Sequence, residues 1–359
     1  MSSWQGWPLR ESLWGEQPYG APQLDVPVAL NVNENPYPPS QAVIDDIAHS
    51  VAEAARTINR YPDREANELR KALADYLGHG LTADQLWAAN GSNEVMQQLF
   101  QAFGGHGRTA LSFAPTYSMY PEYARDSDTT WVTVPRRADF TIDQELAMAE
   151  VQRWQPSIVV LASPNNPTGT ALSLDVLRAI CDVAPGVVVV DEAYAEFRRE
   201  ETPSALSLLP SYPRLAVTRT MSKAFALAGG RLGYLAGDSG LVDALRIVRL
   251  PYHLSTITQA VALAALRHAD DLLGQVAALR AERDALVDWL REAGLTVAES
   301  DANFVLFGIF EERCAVWQGL LDRGVLIRET GPDGWLRVSV GTPDQMSAFK
   351  TALLEVLKK

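Results

Sequence analysis

Three short apolar runs set the architecture open to this chain: "SIVVLA" at 157–162, "GVVVVD" at 186–191 and "RLAVT" at 214–218. Apolar runs of that length suit strands covered on both faces, and helical or loop segments separate them. The alternation predicts an α/β fold, a mostly parallel sheet flanked by helices. "TALSF" reads as a further short strand. A helix is expected after Ser40, with Ile44, Ile47, Ala48, Val51, Ala52 and Ala55 as its apolar face. Another begins near "NGSNEV", burying Val95, Met96, Leu99, Phe100 and Phe103.

The pattern changes after about residue 250. Long helices over roughly 241–268 and 270–293, the second closed by Gly294, precede "ANFVLFGIF", "GVLIRE" and "GWLRVSVGT". The last of these alternates like a half-exposed strand. Thr342, Pro343 and Gln345 form a capping box that opens a final helix. These elements predict a smaller α+β domain, and the first 30 residues, mixing Trp, Pro and Gly, read as an arm. The expected division is an arm at 1–30, a large domain at 31–250 and a small domain at 251–359 packing with the arm.

A length of 359 residues accommodates that plan. The net charge of −13 argues against nucleic acid or an anionic membrane as partner. No apolar run reaches the ~18 residues of a membrane span. The N-terminus lacks a basic segment followed by an apolar one, so no signal peptide is expected. Cys181 and Cys314 are the only cysteines, which suggests no disulfide framework and fits a reducing cytoplasm.

The chain prefers arginine, 26 residues against five lysines, yet keeps Lys223 in "TMSKAFALAGGRLG". Arginine stays protonated, whereas lysine can lose its proton when desolvated and then act as a nucleophile. A surface lysine is the bland alternative; the buried strand upstream and the small apolar residues downstream oppose it. Asp191 ends the strand "VVVVD", where open α/β sheets place ligands, with Tyr194 three residues on. A carboxylate buried there needs a cationic partner, and the protonated ring nitrogen of pyridoxal phosphate is one. A helix cap or a metal ligand is the alternative for Asp191 alone.

"SPNNPTGT" reads as a turn, but Asn166 at a strand's carboxyl end could donate to a phenolate oxygen. "NGSNE" opens a helix at Gly91 and Ser92, an ordinary cap or an anion site; Ser222 and Arg231 could join the same phosphate. Tyr117 in "APTYSMY" could stack on a planar group or simply pack in the core.

In this order, the segments resemble the fold-type I pyridoxal-phosphate (PLP) aminotransferases from about residue 30 to 342. "LNVNENPYPPS", "NRYPD", "PYHLST" and Pro18–Tyr19 are similar to the histidinol-phosphate branch of that family. Two departures are Asn93, where relatives often carry an acid, and Gly230, where a bulkier apolar residue is common. The resemblance implies PLP as cofactor, with Lys223 as the amine that binds it and shuttles a proton between substrate Cα and cofactor C4′. It further implies Asp191 on the ring nitrogen, Asn166 and Tyr194 on the ring oxygen, and Tyr117 stacked on the ring. Ser92, Asn93, Ser222 and Arg231 would hold the phosphate, with Tyr61 reaching it from a second subunit of a homodimer.

Arg328, Arg337, Tyr19 and Asn33 are the implied substrate contacts, and no metal is expected. A solvated strand arginine or a structural ion pair is the plain alternative for the two arginines. The implied reaction moves an amino group from histidinol phosphate to 2-oxoglutarate. Aromatic amino-acid transamination and threonine-phosphate decarboxylase-like chemistry remain open, since both use nearly the same residues. A PLP-sensing regulator would need a DNA-binding element that the first 40 residues do not offer, and no G-x-G-x-x-G supports a nicotinamide enzyme.

Overall fold

The computed structural model describes residues 6–358. A seven-stranded sheet runs in the order Leu86–Ala89, Gly233–Gly237, Leu215–Thr220, Val187–Asp191, Ile158–Ala162, Thr109–Ala114, Thr130–Pro135. The last five strands pair in parallel, and Gly233–Gly237 is antiparallel to both of its neighbours. The α/β expectation holds, and the reason the runs are unbroken is visible in the packing. Val159, Leu161, Val188 and Val190 face one apolar cluster, while Ile158, Val160, Val187 and Val189 face another on the opposite side. With each such side chain contributing about 1.5–3 kcal/mol on burial, neither face tolerates an unpaired charge.

Helices Asn67–Leu77, Gln144–Trp154 and Leu174–Val183 cover the first face; Ser92–Phe103 and Ser239–Val248 cover the second. Each carries an apolar stripe, such as Val95, Met96, Leu99 and Phe100. The helix Gln41–Ala55 forms with Ser40 as its cap, and of the expected face Ile47 and Val51 turn inward while Ile44, Ala48, Ala52 and Ala55 are exposed. Val43 is buried and Ile44 is 43% exposed where the helix packs against Thr256–Arg267.

A second sheet is antiparallel, in the order Arg328–Glu329, Leu336–Ser339, Phe304–Gly308, Thr296–Val297. The strand Leu336–Ser339 is buried throughout, not half-exposed as its alternation suggests. Its polar members, Arg337 and Ser339, face the chain segment 31–33 instead of solvent. Val28–Ala29 pairs in parallel with Val325–Leu326 as a separate two-stranded sheet, and the Ser339 amide donates to the Leu30 carbonyl, so the N-terminal segment is tied to the second sheet before entering the site.

The two long helices expected after residue 240 are interrupted. The first divides into Ser239–Val248 and Thr256–Arg267 around Pro251 and Tyr252, whose φ of 56° is left-handed. The second divides into Ala269–Leu273 and Val276–Glu292 at Gly274. The terminal helix Pro343–Leu357 opens with the expected capping box.

Candidate active site

The parallel strands Ile158–Ala162, Val187–Asp191 and Leu215–Thr220 end at the same edge of the sheet. There their following loops meet residues 31–33 and the small sheet around a cavity of about 250 Å³. Lys223, Asp191, Tyr194, Ser92, Asn93, Tyr117, Asn166, Ser222 and Arg231 all line it, as do Tyr19, Asn33, Arg328 and Arg337.

One end is built for an anion. The helix Ser92–Phe103 starts behind Gly91, at φ +82°, and its first amides have no partner within the helix. A Cβ on Gly91 would lie 2.6 Å from Arg231 Nη2, so glycine lets the guanidinium lie against the loop. Arg231 Nη1 donates to Ser222 Oγ at 3.4 Å, and Thr220 Oγ1 lies 3.0 Å from the same hydroxyl. Glu94 accepts from both the Asn90 amide and its side chain, at 2.6 and 2.7 Å, which pins the loop. A helix terminus, hydroxyls and a fixed cation together suit a phosphate dianion.

The amine of Lys223 donates to the Val32 carbonyl at 2.8 Å. Desolvation lowers its pKa to about 8, with the Arg337 charge adding to the effect and Glu34 opposing it. Across the cavity, Asp191 is buried and has no ion pair among the described residues. It accepts instead from Tyr120 Oη at 2.8 Å, Thr218 Oγ1 at 3.2 Å and the Ala193 amide at 3.2 Å. Burial pushes its carboxyl up, and those donors pull it back.

Tyr194 is buried, its hydroxyl accepting from Asn33 Nδ2 at 3.0 Å and, more weakly, from Asn166 Nδ2 at 3.5 Å. Asn33 has a left-handed φ of 57° and is clamped by Ser339 and Asn303. Arg337, 6% exposed, donates from Nη1 to Asn166 Oδ1 and from Nη2 to the Asn31 carbonyl, leaving Nε buried without a partner. Arg328 stands opposite it in the strand register. Tyr19 closes the mouth, accepting from Ser118 Oγ at 3.2 Å.

Tyr61 is not brought to this cavity. It is 79% exposed and stacks on Tyr252, ring centroids 4.4 Å apart. Conversely, Tyr120, Thr218 and Asn31 belong to the site without having been singled out in the sequence. For Tyr120 the available signal was its place three residues after Tyr117, at the start of the short helix Tyr120–Asp126.

The cavity can therefore take a phosphorylated ring bearing a protonated nitrogen. The anion cradle, the titratable amine and a buried carboxylate lacking a cation supply its three distinct needs. The model of the family "Aminotransferase class I and II" matches residues 26–353. The histidinol-phosphate aminotransferase of Thermobifida fusca is 66% identical over 347 residues, covering 97% of this chain and 95% of that protein. Histidinol-phosphate aminotransferase 3 of Burkholderia lata is 62% identical over 354 residues, covering 98% and 96%. Among solved structures, the Sinorhizobium meliloti histidinol-phosphate aminotransferase in complex with pyridoxal-5'-phosphate superposes with a TM-score of 0.84 at 26% identity, covering 93% of this chain and 91% of that one. Pyridoxal phosphate is the cofactor of this family. By sequence, fold and the make-up of its cavity, this chain belongs to the class I and II aminotransferases.

Proposed function

We propose that the chain transfers the amino group of L-histidinol phosphate to 2-oxoglutarate, giving imidazole-acetol phosphate and glutamate. The observation that carries this reading is the pair Arg328 and Arg337 on the wall of the cavity that holds the Lys223 amine. Two guanidinium forks suit a substrate phosphate and accept the second carboxylate of glutamate in the return half-reaction.

Bound in this cavity, pyridoxal phosphate supplies an electron sink for the charge left when the substrate Cα loses its proton. Asp191 holds a proton on the ring nitrogen. Tyr194 and Asn166 would donate to the ring oxygen, and Tyr117 would cover the ring face. The amides of Ser92 and Asn93, with Ser222 and Arg231, hold the phosphate. Lys223 would hold the cofactor covalently through Nζ and, as a free neutral amine, would carry the proton lost from the substrate Cα. Tyr19 covers the mouth against water, while Asn33 keeps the Tyr194 hydroxyl in place.

The chain acts as a cytoplasmic homodimer in this reading, divided into an arm (1–30), a large cofactor-binding domain (31–250) and a small domain (251–359). An exposed apolar group of Ile58, Tyr61, Ile247, Leu250 and Tyr252 supports a second copy as partner, and Tyr61 then reaches the neighbouring phosphate. Among the described residues no helix is long and apolar enough to cross a membrane. Comparing kcat/KM for histidinol phosphate and phenylalanine tests the assignment. A large preference for the phosphorylated amine is expected; parity or the reverse ratio moves the enzyme to the aromatic class.

A further inference from the structure

Tyr120 stands outside every role assigned so far. Its ring is fully buried, edge-on to Tyr117 at 5.4 Å and tilted against Trp131 at 6.5 Å. Such enclosure leaves its hydroxyl a single direction, and that direction ends 2.8 Å from Asp191 Oδ2. Burial and the Asp191 charge both push the phenol well above its ordinary range, so it remains an O–H donor at any working pH. The second carboxylate oxygen, Oδ1, takes the Thr218 hydroxyl and the Ala193 amide.

The other charges near Asp191 do not substitute for this donor. Glu192, its neighbour, raises its proton affinity but points into a separate cluster, paired with Arg219 at 2.7 Å and Arg198 at 3.4 Å. Tyr117, Tyr123 and Tyr194 sense the Asp191 charge as neutral phenols and make no hydrogen bond to it. The Asp191 carboxyl is thus buried without a cationic partner among the described residues, held by three neutral donors of which Tyr120 makes the shortest bond.

We propose that Tyr120 is a positioning residue for the transamination, whose hydroxyl aims the Asp191 carboxylate and keeps a shared proton on the cofactor ring and off the carboxylate. The inference rests on the placement of the ring nitrogen at Asp191 given above. A carboxylate stripped of a donor in a buried site becomes the better base, and the proton moves to it. The ring then loses its positive charge and withdraws electrons less strongly. Tyr120 touches neither substrate nor ring nitrogen in this account; it acts through Asp191.

The test is spectroscopic and uses the holoenzyme. Tyr120→Phe keeps the ring and removes the hydroxyl. The pH midpoint of the bound cofactor's visible absorbance should rise by about one unit, because a nearby cation has been lost. Its kcat should fall about ten- to a hundredfold, as expected for one hydrogen bond to a charged group, with KM little changed. Thr218→Val should move the midpoint the same way by less, and serves if the tyrosine variant folds poorly. Reconstitution with a cofactor analogue carrying carbon in place of the ring nitrogen should abolish the difference between Tyr120→Phe and the parent.

An Asp191→Ala control separates the role of Tyr120 from that of Asp191. A midpoint shift in Asp191→Ala with none in either Tyr120→Phe or Thr218→Val overturns the role of Tyr120. A Tyr120→Phe shift that persists with the carbon analogue overturns it too. No shift in Asp191→Ala removes the ring nitrogen from Asp191, and the inference falls with it.

Discussion

Arg337 reaches from the small antiparallel sheet to Asn166 on the loop after the Ile158–Ala162 strand, Nη1 donating to Oδ1 at 2.6 Å. The same asparagine turns its amide toward Tyr194, so the arginine proposed to meet substrate also orients the side chain proposed to donate to the ring oxygen. Its buried Nε has no hydrogen-bond partner. Arg337→Lys keeps a charge but loses the planar fork. We expect KM for both histidinol phosphate and 2-oxoglutarate to rise roughly 10- to 100-fold, the equivalent of one or two charged hydrogen bonds, measured by steady-state kinetics with each substrate varied. An unchanged KM for both places substrate recognition elsewhere.

Lys223→Ala should bind pyridoxal phosphate without a covalent link, since the cradle at Ser92, Ser222 and Arg231 is intact. Turnover should fall at least about a thousandfold, because both the nucleophile and the proton carrier are removed. Borohydride reduction followed by mass spectrometry reads the first point, and single-turnover rates read the second. Substantial activity in this variant contradicts the assignment of Lys223.

The lysine also sets a pH dependence. With its pKa lowered to about 8 by desolvation and by Arg337, the amine is protonated below that pH and neutral above it. Only the neutral amine attacks an aldehyde, so the rate of cofactor capture by apoenzyme should rise with pH through a midpoint near 8. Replacing Arg337 by Gln removes a neighbouring cation and should move that midpoint upward. Stopped-flow absorbance across pH 6 to about 10 checks both statements.

Much of this arrangement is legible in the sequence, for a physical reason. Asp191 ends, and Lys223 follows, a strand whose apolar run announces burial on both faces, and a charged group at such an edge has few plain explanations. Arg337 is harder. The alternation in "LRVSV" matches a strand with one wet face, yet Arg337 and Ser339 turn inward to hydrogen-bond Asn31, Asn166 and Asn33, some 170 to 306 residues away in sequence. Tyr120 is harder still, because a fully buried tyrosine beside other aromatics reads as core until its hydroxyl is placed. Helix breaks at 249–255 and at Gly274 come from a left-handed Tyr252 and local packing, which periodicity averages over.

Gly233 supplies a structural prediction close to the site. It opens the strand beside Leu86–Ala89, and a Cβ there would fall 2.0 Å from the Ser92 amide nitrogen. That atom is backbone and cannot swing aside. Gly233→Ala should therefore cost about 1–3 kcal/mol of stability by overpacking and displace the anion-binding turn. Thermal melting of the apoenzyme and equilibrium binding of pyridoxal phosphate should worsen together. A loss of stability with unchanged cofactor affinity would show that the turn at 91–92 does not hold the phosphate.

The most direct measurement is the absorbance spectrum of the cofactor-loaded enzyme before and after adding L-histidinol phosphate with no keto acid present. The account predicts that the visible cofactor band bleaches to the spectrum of pyridoxamine phosphate and that 2-oxoglutarate restores it. A band that ignores histidinol phosphate, or that bleaches only with phenylalanine, contradicts the assigned substrate.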